Sequence, residues 1–186
     1  MRPLPLLAGL IAAALTTGAM AATSYPLTLD NCGVTLTIPA APQRVVAIKS
    51  SATEMLLALG LGGRIVGVGF QDGPAPEPWA AEAAALPVLS DRLPSMEVVL
   101  EAEPDFIYGG WESNFAADGA GERATLTQLG VTTYVAPAAC RSIKPAKLSF
   151  EAVFAEIREI GTIFDAAAAA DAIIAGQQAD LAAIPP

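Results

Sequence analysis

The sequence predicts an α/β protein, a mostly parallel sheet flanked by helices, with a β-hairpin in front and a long helical tail. Three observations carry this. Five short runs rich in Val, Ile, Thr and Tyr (44–48, 65–68, 88–89, 105–108 and 132–135) alternate with segments bearing helix caps and stops. Strands that alternate with helices belong to parallel sheets, because a parallel connection needs a crossover. Ahead of them, 25–29 and 34–38 alternate apolar and polar side chains around the turn formers Asp30-Asn31-Cys32-Gly33, the pattern of a hairpin. Behind them the tail carries helical spacing and no further strand.

Each element follows from local chemistry. Pro39 and Pro42 close the hairpin and lead into the run at 44–48. The next helix is expected over 53–59, with Met55, Leu56 and Leu59 as its stripe, Glu54 in its first turn and Gly60 just past its end. Pro74 to Pro78 forms a loop before an Ala-rich segment. Ser95 caps a helix to about Glu101, and 122–129 is helical up to Gly130. Ser149 caps a helix whose stripe, Phe150, Val153, Phe154, Ile157 and Ile160, has i, i+3, i+4, i+7 spacing. Asp165 opens an Ala-rich helix to about Ala183. The chain divides into a targeting segment (1–21), an α/β lobe (22–148) and a helical segment (149–186).

Arg2, the apolar run 6–15 and the small-x-small Ala19-Met20-Ala21 read as an export signal cleaved after Ala21. The run is too short to span a membrane, and no cysteine follows the cleavage site to carry a lipid. Cleavage removes Arg2 alone among the charged residues, taking the net charge from −9 to −10. That argues against nucleic acid and anionic membrane surfaces as partners. Cys32 and Cys140 are the two cysteines. In an exported protein they predict a disulfide across about 100 residues, worth roughly 4–5 kcal/mol in the chain-entropy model; two separate buried thiols are the alternative. The chain has no histidine, which excludes a Ser-His-Asp or Cys-His triad and a histidine-based zinc site. No G-x-x-x-x-G-K-[ST] occurs, and Gly67-x-Gly69 has Asp72 where a dinucleotide fingerprint needs glycine. No catalytic residue, metal-ligand set or cofactor is predicted.

In a parallel sheet, ligands bind beyond the carboxyl ends of the strands. Those ends run here into Lys49-Ser50-Ser51, Phe70-Gln71-Asp72, Asp91-Arg92 and Trp111-Glu112-Ser113-Asn114, which are the candidate ligand-binding residues. The Ser50 and Ser51 hydroxyls, beside free amides at a helix start, suit an anionic or carbonyl oxygen. Simple helix capping is the alternative for Ser50, Ser51 and Thr53. Lys49 and Arg92 suit acidic groups on a ligand. Phe70 and Trp111 suit stacking on a ring, with core packing as the alternative for Trp111. Asp91-Arg92 reads equally as a local ion pair of little worth. Asp91 and Glu112 would be the acid–base pair of an enzyme, but nothing in the sequence brings them together.

In their order and spacing, APQRVVAIKSSATEMLLALGLGGRIVGVG (41–69), PSMEVVLEAEPDFIYG (94–109) and LTQLGVTTYV (126–135) resemble one family. It is the bacterial periplasmic substrate-binding proteins of ABC importers, in the cobalamin, siderophore and haem uptake class. The likeness runs over roughly 25–183. It implies two α/β lobes joined by one long helix with the ligand between them. This chain is then the N-terminal lobe, and 149–186 begins the connection to a second lobe it lacks. The resemblance also implies a periplasmic location, no enzymatic activity, and a permease with its ATPase as partners. Glu54 falls where such lobes offer a glutamate to permease arginines; a favourable charge at a helix start, worth about 0.3–1 kcal/mol, is the alternative. Residues 90–115 and 136–140 look most like a subgroup proposed to import a precursor of the deazaflavin redox cofactor. Its flat ring and phosphodiester would suit Trp111, Lys49 and Arg92. A siderophore or corrinoid chelate remains open. The alternatives to a transport receptor are a single-lobe interaction module, a truncated fragment without transport activity, and an α/β enzyme.

Overall fold

A computed structural model describes residues 22–185; the export signal read at 1–21 lies outside them. Strands β1 (Leu27–Asn31) and β2 (Val34–Ile38) form the antiparallel hairpin. Asn31 pairs with Val34, so the turn is only Cys32-Gly33, with φ of 56° and 78°. Two successive positive φ angles twist a two-residue loop to match its strands, which is why Asp30 and Asn31 stay in the ladder rather than in the expected four-residue turn.

Five strands build one parallel sheet: β3 (Val45–Ile48), β4 (Ile65–Gly69), β5 (Val88–Ser90), β6 (Phe106–Gly109) and β7 (Thr132–Val135), in the order β5-β4-β3-β6-β7. Helices α1 (Ser50–Ala58), α2 (Ala80–Ala84), α3 (Met96–Glu101) and α4 (Arg123–Gln128) make the crossovers. Alternation along the central strands splits the core in two. Val45, Ala47, Phe106, Tyr108 and Tyr134 face one side, with Leu56 of α1. Val46, Ile48, Ile107 and Val135 face the other, with Val99 of α3 and Leu126 of α4. All four residues of β3 and of β6 are buried, as a sheet covered on both faces requires.

The tail folds back on this sheet. Helix α5 (Phe150–Ile163) is capped by Ser149, whose hydroxyl accepts from the Ala152 amide at 3.2 Å. Its Phe154, Ile157, Ile160 and Ile163 enter the first core cluster, so packing continues across the expected 148/149 division. Phe150, at the head of the expected stripe, stays 63% exposed. Helix α6 (Ala167–Ala182) starts two residues after Asp165, which takes φ 54° between the helices and accepts the Thr23 amide at 2.7 Å.

The hairpin seals the edge strand β7. Asn31, buried between them, donates from Nδ2 to the Val135 carbonyl and accepts the Val135 amide at Oδ1, both at 2.8 Å. Arg123 donates to Asn31 Oδ1 and O at 2.9 Å, to Thr133 Oγ1 at 3.0 Å and to Thr133 O at 3.1 Å. The expected disulfide is present: Cys32 and Cys140 are bonded, 108 residues apart in sequence, with Cα atoms 5.3 Å apart. It fastens the hairpin turn to the loop that follows β7.

Candidate functional site

The sheet order reverses at β3. The chain leaves it toward β4 and β5, then returns to β6 and β7 on the other side. Loops after β3 and β6 therefore diverge to opposite flanks, and such a switch point is the usual ligand position in sheets of this kind. Of the expected residues, Lys49, Phe70, Asp72 and Trp111 meet near these strand ends. Lys49 N donates to Gly69 O at 3.0 Å, Phe70 N to Ser90 O at 3.1 Å, Gly110 N to Ile48 O at 2.8 Å and Ala136 N to Gly109 O at 3.0 Å. These four bonds lock five strand ends into one rim. Gly110 is required for the closeness: a Cβ there would lie 2.7 Å from Ser51 Oγ and 2.8 Å from Lys49 Cβ.

At the centre is a cage around an ammonium. Lys49 is only 3% exposed and pairs with the Asp72 carboxylate, the one salt bridge among the described residues. Its Nζ lies 4.1 Å from the centroid of the Phe70 ring and 4.2 Å from that of Trp111. The two rings meet edge to face, 5.9 Å apart at 81°. Trp111 nevertheless remains 44% exposed. Lys49 has φ 83° and Phe70 φ 54°, so the last turn of each strand is held in a conformation that L-residues rarely adopt. Such strain costs about 1–3 kcal/mol per residue and gathers at functional sites. It also corrects the expectation that Lys49 is open to a ligand: its charge is already enclosed.

Other expectations change in detail. Helix α1 begins at Ser50, not at residue 53, because Lys49 itself is the N-cap and its carbonyl accepts the Ala52 and Thr53 amides, each at 3.2 Å. No side chain caps it. Ser50 Oγ instead accepts the Asp72 amide at 2.8 Å, and Thr53 Oγ1 donates to Lys49 O at 3.4 Å. Glu54 consequently lies beyond the first turn, which holds no acidic residue, and it lines a cavity of about 200 Å³ with Ser50, Thr53, Gln71 and Ala83. Ser51 is exposed; Gln71 Nε2 donates to Gly69 O at 3.0 Å.

The Trp111 loop is braced from beneath. Asn114 is buried and its Oδ1 accepts the Trp111 amide at 2.9 Å. Glu112 clasps the loop after β7: its carboxylate accepts the Arg141 amide, the Ser142 amide at 2.8 Å and the Ser142 hydroxyl. Burial pushes the Glu112 carboxyl up, but these three donors and the nearby Arg123 guanidinium outweigh it and hold it below the ordinary glutamate value. Ser113 is exposed beside it. Asp91 and Arg92 lie exposed at the β5 edge; the Arg92 amide donates to Ser90 Oγ at 3.2 Å, and no ion pair joins the two among the described residues. The acid–base pairing of Asp91 with Glu112 also finds no hydrogen bond, since the Glu112 acceptors are taken by Arg141 and Ser142. No local pattern announces the Glu112 clasp, the Asn31–Arg123 network, or two Tyr–Glu pairs under α5. In those, Tyr108 donates to Glu156 and Tyr134 to Glu159, each at 2.6 Å.

A reversing parallel sheet with a built aromatic rim at its switch point defines a doubly wound α/β lobe. Residues 45–185 match the periplasmic binding protein family, and the chain belongs to it. It is 28% identical over 158 residues to the uncharacterized ABC transporter substrate-binding lipoprotein YvrC of Bacillus subtilis, covering 84% of this chain and 46% of that one. It is similar to the solved structure of a periplasmic binding protein from Veillonella parvula, with 27% identity, 84% and 52% coverage and a TM-score of 0.70. It is also similar to that of an ABC-type Fe3+-hydroxamate transport system from Saccharomonospora viridis, with 26% identity, 87% and 56% coverage and a TM-score of 0.73. The chain thus spans about half the length of these relatives. They are described as transport binding proteins.

Proposed function

We propose that this chain is the ligand-capturing N-terminal lobe of a periplasmic substrate-binding component of an ABC-type importer. It takes a small organic ligand or metal chelate at the rim between β3 and β6 and presents it to a membrane permease coupled to an ATPase. The observation that carries this is Trp111, exposed at the topological switch point on a cage of Lys49, Phe70 and Asp72. Family membership, the lipoprotein relative and the ferric hydroxamate system support transport and a location outside the cytoplasm. The disulfide suits an oxidising compartment, as does export by the signal read at 1–21. Ser51, Ser113, Asp91 and Arg92 are the exposed polar groups on the rim available to a ligand. Glu54, on α1 beside the cavity it lines with Ser50, Thr53, Gln71 and Ala83, is the docking contact for the permease.

The test separates the two surfaces. Thermal shift is measured with a ferric hydroxamate, haemin and cobalamin, and transport in cells carrying the cognate permease. Trp111→Ala is expected to remove the ligand-induced shift; Glu54→Ala is expected to keep the shift and lose transport. A folded Glu54→Ala protein without a ligand shift overturns this division. A second reading, an interaction module, rests on Leu148, Phe150 and Ile184, which are 70%, 63% and 65% exposed at the tail. It predicts a stable protein complex that forms without any small molecule.

A further inference from the structure

We propose that the Cys32–Cys140 disulfide and Glu112 form one positioning brace for Trp111, so that the rim is complete only while the disulfide is closed. Its bearing on ligand capture rests on the reading of the rim as the ligand site. The turn that carries Trp111 is compact. The Trp111 amide donates to Asn114 Oδ1 at 2.9 Å, and the Asn114 amide donates to Trp111 O at 3.0 Å. The turn is tied to the sheet at its two ends, by the Gly110 amide on Ile48 O at 2.8 Å and by Phe115 and Ala120 in the second core cluster. Two ties define an axis about which the turn can still rock. Glu112 supplies the third. Its carboxylate is fastened to the Arg141 and Ser142 amides and to the Ser142 hydroxyl, and this holds the indole over Lys49 and Phe70.

The donors that hold this third tie take their own place from the disulfide. From Arg141 to Phe150 every residue but Pro145 is exposed, and 143–148 make no hydrogen bond among the described residues. The segment is placed by its ends, Ser149 at the head of α5 and Cys140. Cys140 is buried with Cys32 in the second core cluster, and its amide makes one long bond, 3.4 Å, to Pro137 O. The covalent bond keeps its Cα 5.3 Å from that of Cys32. Arg141 and Ser142 follow at once, and consecutive Cα atoms are about 3.8 Å apart, so both amides stay within reach of Glu112. Ile143 extends the same contact: a Cβ on Gly33, next to Cys32, would lie 3.1 Å from Ile143 Cγ2. Without the bond, the clasp itself would have to order the chain from Cys140 onward, and the entropy of fixing it opposes that. The hairpin has anchors of its own, since Asn31 bonds to Val135 and Arg123. The loop at 140–142 has none comparable, so the disulfide acts chiefly on the loop.

The experiment uses the full oxidised chain with Trp79→Phe, so that Trp111 is the sole tryptophan. Acrylamide quenching of Trp111 emission reads how far the indole leaves the Lys49–Phe70 cage. A run of glycines inserted between Cys140 and Arg141 keeps the disulfide and slackens its tether to the clasp. It is expected to raise the quenching constant, by at most about twofold because 44% of Trp111 is exposed already. Glu112→Gln, and Cys32→Ser with Cys140→Ser, are expected to act in the same direction. The insertion combined with Glu112→Gln is expected to match either change alone, because both release one brace. Quenching that the insertion leaves unchanged, or effects of the insertion and Glu112→Gln that add, overturns the inference. Both results are read on proteins that keep the disulfide, so neither depends on whether the serine variant folds. Thermal shifts with haemin, cobalamin and a ferric hydroxamate are then measured on the insertion variant and are expected to shrink. A released Trp111 with the shifts intact refutes the rim as the ligand site and leaves the brace standing.

Discussion

Replacing Asn31 with alanine removes the side chain that holds the hairpin against the edge of the sheet. It takes away the 2.8 Å bond to the Val135 carbonyl, the 2.8 Å bond from the Val135 amide and the 2.9 Å bond from the Arg123 guanidinium. Asn31 is 2% exposed and Val135 fully buried, so water does not replace these partners without the hairpin lifting away. Neutral bonds contribute about 0.5–1.5 kcal/mol each and charged ones about 1.5–3, and the stranded Val135 groups add a desolvation cost. Arg123 keeps its bonds to Thr133 and to the Asn31 carbonyl, which limits the loss. The expected destabilisation is about 3–5 kcal/mol. Urea unfolding of the oxidised protein measures it, as a lower midpoint at unchanged slope. Thr35→Ala, at an exposed position of the same hairpin, is the control and should cost under about 0.5 kcal/mol. A loss below about 1 kcal/mol for Asn31→Ala would refute the claim that this side chain seals β7.

Two further outcomes concern carboxylates. The Glu112 value is lowered in the folded state, so its contribution is full above an unfolded glutamate's 4.5 and is lost as pH falls through the lower folded value. Glu112→Gln should destabilise at neutral pH, loosen the loop around Ser142 to hydrogen exchange, and converge with the parent at acid pH; an equal deficit at both pH values would exclude the charged clasp. Burial raises the Glu156 value, the Tyr108 hydroxyl opposes it, and Glu159 raises it further. Such a group binds more protons folded than unfolded, so stability falls as pH rises from 4.5 through the folded value. Glu156→Gln keeps an acceptor for Tyr108 and should gain stability relative to the parent as pH rises through that window; a gain independent of pH would contradict it.

The periodicities of the sequence determined the layers. Runs such as Val45–Ile48 and Thr132–Val135 declare buried strands by composition. Ser95 and Ser149 cap the helices that begin one residue later, because capping is settled within four residues. The carboxyl-end loops that gather at the site were legible for the same reason, since strand direction follows from alternation with helices. Pairing of Cys32 with Cys140 was legible only as a count of two in a chain read as exported.

What tertiary structure alone decided is which polar atoms are already spoken for. Lys49 looked like a free cation beside a helix start; 23 residues on, Asp72 claims it, and two rings enclose it. Glu112 looked like a rim ligand until Ser142, 30 residues away, took its oxygens. Asn31 looked like a turn residue, and its partner is Val135, 104 residues away. Local pattern sets backbone conformation because those forces act within a few residues. The commitment of a charge or an amide depends on what the folded chain brings within hydrogen-bonding distance of it, and that is fixed only once the strands have taken their order.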